Sequence, residues 1–195
     1  MAGRELNRPR SVLGLPSGGA QRLAARAGLD ARAICVCWFG LAAATVPGVG
    51  LAIALPTLAP AAHPHATLRP SAGAVTSIVL NNLRVLAAPF ILVAARFERA
   101  HASRLVGDAI VAAILIGNAI AVGLALGRWR GALIPFVPQL PLEYLAAATA
   151  AATWLDARRD TTRCGPANAV THAVATIALA VAAAVIEVFL TPHAR

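Results

Sequence analysis

The sequence predicts an all-α fold, a polytopic membrane helix bundle of about five transmembrane helices with a Pro-rich re-entrant segment before helix four. Three observations predict it. The chain is 58% hydrophobic and only 13% charged, about half the charged share of a soluble domain. Its apolar residues fall into runs of bilayer length. Its 17 basic residues are all arginine and collect mostly in short stretches between those runs, as topology signals do.

Residues 1–32 form a cytoplasmic basic N-terminal arm, with Arg4, Arg8, Arg10, Arg22, Arg26 and Arg32 against Glu5 and Asp30. The remainder, 33–195, is a single transmembrane helical domain. So long a polar lead, before so long an apolar run, argues for an uncleaved first helix over a signal peptide. Span one covers about 33–59, with Pro47, Gly48 and Gly50 mid-span, where proline predicts a kink and small residues allow close packing. Span two covers 72–95 and contains Asn81, Asn82 and Arg84. Span three covers 109–127 after a charged loop over 96–108, and carries Asn118. The stretch 131–142 contains Pro135, Pro138 and Pro141, a spacing no regular helix tolerates. Pro141 fits the first position of a new helix with Glu143 in its first turn, where the helix dipole favours an anion. That short fourth span covers 141–157, and the fifth covers 166–190.

An odd number of spans puts the termini on opposite sides. With the N-terminus inside, the arm and the loops 96–108 and 156–165 hold most of the arginines, and only Arg69, Arg128, Arg130 and Arg195 lie outside. The positive-inside rule therefore predicts a multi-pass cell-membrane protein with the N-terminus cytoplasmic and the C-terminus outside. The same distribution explains the net charge of +9 without nucleic acid as a partner.

Polar residues at membrane depth are costly and mark sites with partners. Arg84 lies about 18 Å above the inner interface by helical rise, Glu143 about 18 Å and Asn118 about 15 Å. Asn81, Asn82, Arg84, Asn118 and Glu143 thus form a buried polar layer. Arg84 cannot shed its proton, and Glu143 is the one carboxylate at its depth, so an Arg84–Glu143 ion pair is expected. Such a layer either holds the bundle in register or forms a binding site, and both readings stand. Glu187 falls at the outer boundary, where it either pairs with Arg128 or Arg130 or is a solvated helix end.

No catalytic set is evident. No serine sits in a Gly-x-Ser-x-Gly elbow, and there is no zinc spacing or phosphate-binding loop. No cofactor and no metal are expected. His172, in the inner part of span five, reads as a packed, hydrogen-bonded core histidine. Cys35, Cys37 and Cys164 lack the even count of a disulfide framework.

Three motifs carry a resemblance. Asn81-Asn82-Leu83-Arg84 resembles the paired-Asn signature of the stage II sporulation protein M family. Pro138-Gln139-Leu140-Pro141-Leu142-Glu143 is similar to that family's Pro-His-Gly-x-x-Glu element before the fourth helix. Glu187-Val188-Phe189-Leu190-Thr191-Pro192 is similar to its Glu-x-Phe-x-Thr-Pro ending. Together they cover roughly residues 70–195, in order. Pro138, Gln139, Glu187, Thr191 and Pro192 thereby form an outer motif. Gln139 stands where the family has His and Leu140 where it has Gly. An amide does not titrate, so no proton-transfer role carries over to position 139. The resemblance implies a bacterial integral membrane protein, in a family whose namesake works with peptidoglycan-degrading partners during engulfment.

Two function classes follow. The first is a non-enzymatic scaffold or regulator of a cell-envelope complex, whose partners are the lipid bilayer and other membrane or cell-envelope proteins. The second is a small transporter or lipid-handling protein that uses the Asn/Arg/Glu layer as its binding site. An intramembrane enzyme using Glu143 is a third, weakened by the expected pairing with Arg84. A water-filled cavity reaching Glu143 favours the second or third, and a dry, closed layer favours the first. Gly127, Gly123 and Ala119, four apart on span three, predict either homo-oligomer formation or close packing within the chain.

Overall fold

The computed structural model describes residues 30–55, 57, 70–159 and 166–190. The N-terminal arm before residue 30 and the outer-motif residues Thr191 and Pro192 lie outside the described residues, as does Cys164. What is described is almost entirely helical, with no strand among the described residues.

Helix α1 runs Ala31–Ala54. Asp30 caps it, its Oδ1 accepting from the amides of Arg32 at 3.0 Å and Ala33 at 3.2 Å, which satisfies two of the donors a helix start leaves open. The helix is continuous through Pro47 and stops ahead of the expected boundary. Leu55 has left the α region, with φ −130° and ψ 73°, as a residue before proline tends to do.

Helix α2 runs Ala72–Ala94, capped by the Ser71 hydroxyl, which accepts from the Ala74 amide at 3.1 Å. Its end is a Schellman motif: the Phe97 amide donates to the Leu92 carbonyl and the Arg96 amide to Val93, both at 3.1 Å. Arg96 takes the left-handed conformation at φ 62°, a position where glycine is the usual occupant.

Helix α3 runs His101–Trp129, eight residues earlier than the apolar run suggests. Arg104 and Asp108 are therefore helical, not loop. Hydropathy registers apolarity, while helicity continues past the apolar stretch. After it, Arg130–Gln139 is a 3-10 helix. Runs of this type beyond four residues are uncommon. Here prolines at 135 and 138, three apart, match the three-residue turn. Helix α4 follows at Leu140–Arg159 with Glu143 in its first turn, close to the start that Pro141 predicts. Helix α5 runs Pro166–Val185 and continues as one π-helical turn, Ile186–Leu190.

Four stretches, in α1, α2, α3 and Asn168–Phe189, are long and apolar enough to cross a membrane. The protein is a helical membrane protein. Its perimeter agrees, since Val36, Phe39, Ile91 and Val174 are each more than 60% exposed, a sidedness expected where lipid is the solvent. Helix α4 is different. Residues 146–152 are buried without a break, so all its sides face protein, the mark of a core helix. It packs against α1, α2 and α5, and Trp154, 1% exposed, reaches α3.

The closest helix pair is α1 with α3. A Cβ on Gly48 would run into the Ile120 carbonyl, and one on Gly123 into that of Thr45. Gly127 abuts Val49 in the same way, and Ala119 is fully buried. The small-residue face of α3 is thus occupied within the chain. Homo-oligomer formation through that face has no surface left to use.

Candidate functional site

The polar residues of α2, α3 and α4 converge on a cavity of about 60 Å³, space for a few waters. Asn81 and Asn82 line it from α2, Asn118 from α3, and Glu143 and Tyr144 from α4. Leu41 of α1 and Ala180 of α5 complete the wall, so every helix contributes. Asn81 and Asn118 are exposed while lining the cavity, which places them at its mouth between α2 and α3. Asn82 and Glu143 are half-buried, further in.

The Asn82 side-chain amide donates to Glu143 Oε1 at 3.4 Å, at the long end for such a bond. Deeper, the Thr45 hydroxyl donates to the Leu41 carbonyl at 3.0 Å, and the Tyr144 and Thr45 hydroxyls are hydrogen-bonded to each other. With the single Thr45 hydrogen committed to Leu41, Tyr144 is the donor in that pair. The Trp38 indole donates to the Pro141 carbonyl at 3.1 Å. It ties α1 to the first turn of α4, the turn that carries Glu143.

The expected Arg84–Glu143 ion pair is absent. Arg84 is exposed, and among the described residues it makes neither a salt bridge nor a hydrogen bond. The reason is angular. Asn82 faces Glu143, and a residue two positions further is turned by about 200° around the helix. Depth brings Arg84 level with the layer, but azimuth points it outward. Four of the five layer residues therefore meet at one cavity, and the fifth faces the surroundings of the bundle.

The outer motif is only partly assembled among the described residues. Gln139 is 5% exposed, and its Oε1 has no hydrogen-bond partner among them. Pro138 is exposed, and Glu187 is half-buried in the π turn that packs against the 3-10 segment. Glu187 makes no salt bridge with Arg128.

Sequence reasoning missed a second polar cluster at the opposite end of α4. Asp108 accepts from the Trp154 indole at 2.9 Å and pairs with Arg158 at 3.1 Å. Arg159 pairs with Asp30 at 3.6 Å, so the α1 cap also anchors α4. His172, 2% exposed, is hydrogen-bonded to the Thr153 hydroxyl at 2.8 Å, a packed core histidine as expected. The signal for the Asp108 cluster was a lone acid seven residues into α3, masked by its assignment to a loop. No group of three metal-ligating side chains occurs among the described residues.

No known protein family, curated protein or solved structure matches the chain.

Proposed function

We propose that this protein is a non-enzymatic, multi-pass subunit that scaffolds or regulates a cell-envelope membrane complex, of the stage II sporulation protein M type. Arg84 carries the reading. A guanidinium cannot deprotonate, and near the middle of an apolar helix its exposure to lipid costs at least about 2.5 kcal/mol. A partner helix presenting a carboxylate at that depth removes the cost. The outward face of α2 is therefore the docking surface, with Asn81 one turn away as a second polar contact.

Crosslinking in native membranes from a photoreactive residue at Leu80, exposed on α2, followed by mass spectrometry, tests this. A reproducible partner lost in Arg84→Leu supports the reading. Recovery of the chain with lipid alone sinks it.

One observation favours a second reading, a small transporter or lipid-handling protein. The cavity at Glu143 carries polar side chains from three helices and opens between α2 and α3, where a polar ligand could enter from the side. Uptake or ligand binding lost in Glu143→Gln but kept in Arg84→Leu separates it from the first.

A further inference from the structure

A different cavity, of about 350 Å³, lies at the end of the bundle where α3 begins and α4 ends. His101, Arg104, Arg158 and Arg159 form its polar wall, and Leu105 and Leu155 its apolar one. Arg158 and Arg159 are matched by Asp108 and Asp30, yet their side chains remain 43% and 63% exposed. Among the described residues, Arg104 is matched by no carboxylate. Its Nε donates to the Glu98 carbonyl and its Nη2 to the Arg99 carbonyl at 3.5 Å. Neutral backbone groups thus orient the guanidinium without cancelling its charge. The nearby carboxylate of Glu98 is buried, at 4% exposure, and is not part of the wall. Three guanidiniums thus line the cavity with His101 beside them, and none of its described lining residues is acidic.

We infer that this cavity binds the headgroup of an anionic phospholipid. A phosphodiester accepts hydrogen bonds from several guanidinium N–H groups at once. Basic pockets between transmembrane helices at the membrane surface suit such headgroups. The apolar wall selects the membrane source over free phosphate. Leu105 is 54% exposed and Val106 51%, continuing from the cavity along α3 towards the apolar perimeter. A lipid seated by its phosphate has acyl chains that need such a track, and inorganic phosphate has none. This site is separate from Arg84 and from the Glu143 cavity, and stands whichever function they serve.

The test is native mass spectrometry of the full chain in dodecyl maltoside, titrated with phosphatidylglycerol, phosphatidylcholine or inorganic phosphate. Phosphatidylglycerol should be retained preferentially, and Arg104→Gln should weaken it about five-fold, the contribution of one arginine near an anionic membrane surface. Should Arg104→Gln loosen the turn at Glu98–Ala100 and fail to fold, Arg159→Gln tests the same wall through an exposed side chain, with a similar loss expected. Equal retention of both lipids overturns the inference. So does unchanged selectivity in the folded variants, and so does inorganic phosphate competing as strongly as phosphatidylglycerol, which would make this a free-anion site.

Discussion

Gly107 and Trp154 are fitted to each other. A Cβ on residue 107 would overlap the six-membered ring of the Trp154 indole, which is 1% exposed and held in place by its hydrogen bond to Asp108. A rigid ring with a fixed donor cannot step aside. The contact also joins α3 to the central helix α4.

Gly107→Ala should therefore destabilise the protein by about 1–3 kcal/mol, the usual range for overpacking. Gly117→Ala, on the same helix with nothing within 4 Å of its Cβ position, should be neutral or stabilise by up to about 1 kcal/mol through helix propensity. Thermal unfolding in detergent, followed by far-UV circular dichroism, compares the two. Equal effects would mean that the glycine at 107 is incidental.

Asp108→Ala removes the acceptor of a buried indole N–H and the partner of Arg158 together. Leaving such a donor unsatisfied costs about 1–3 kcal/mol. Asp108→Asn keeps an acceptor for Trp154 while losing the ion pair. It should lie closer to the wild type in the same assay, since Arg158 is 43% exposed and exposed pairs contribute little.

Arg84 and Glu143 should behave as independent sites. In a double-mutant cycle of Arg84→Gln and Glu143→Gln, the coupling should be no more than about 0.5 kcal/mol, as for residues with no shared partner. A coupling of about 3 kcal/mol, typical of a broken buried pair, would restore the ion pair. Reversible unfolding in mixed micelles provides the four free energies.

Arg96→Gly should stabilise. The left-handed conformation costs a non-glycine residue about 1–2 kcal/mol, and Arg96 adopts it at φ 62° to close the Schellman turn. A gain of about 1 kcal/mol is expected from chemical denaturation. A loss would show that the Arg96 side chain has a favourable contact outweighing the strain.

Much of the bundle was legible because its signals are local. The α4 start, with Glu143 in its first turn, follows from where prolines are tolerated. The meeting of Asn81, Asn82, Asn118 and Glu143 follows from rise per residue, which converts sequence distance into depth. What depth alone cannot supply is rotation. Arg84 was placed at the right level and the wrong side, because its facing depends on which neighbours α2 packs against. The Gly107–Trp154 contact has no local signature at all. The early start of α3 was hidden for a different reason: Arg104 and Asp108 interrupt the apolarity that a hydropathy scan follows, but not the backbone hydrogen bonds that make a helix. The sequence set α4 apart as a short span, but not as the central helix, although alanine repeated on every face belongs to a helix with protein on all sides.

That central position has a consequence for biogenesis. A translocating segment commits to the bilayer by its own apolarity. Helix α4 carries Glu143, Asp156, Arg158 and Arg159, and its alanines offer lipid little in exchange. It has no reason to leave the translocation channel alone. Its natural company is α3 on one side and α5 on the other, joined by short connections, so the three segments should enter as one unit. Truncation after α4 should then leave it poorly inserted, whereas extension through α5 should complete the membrane topology.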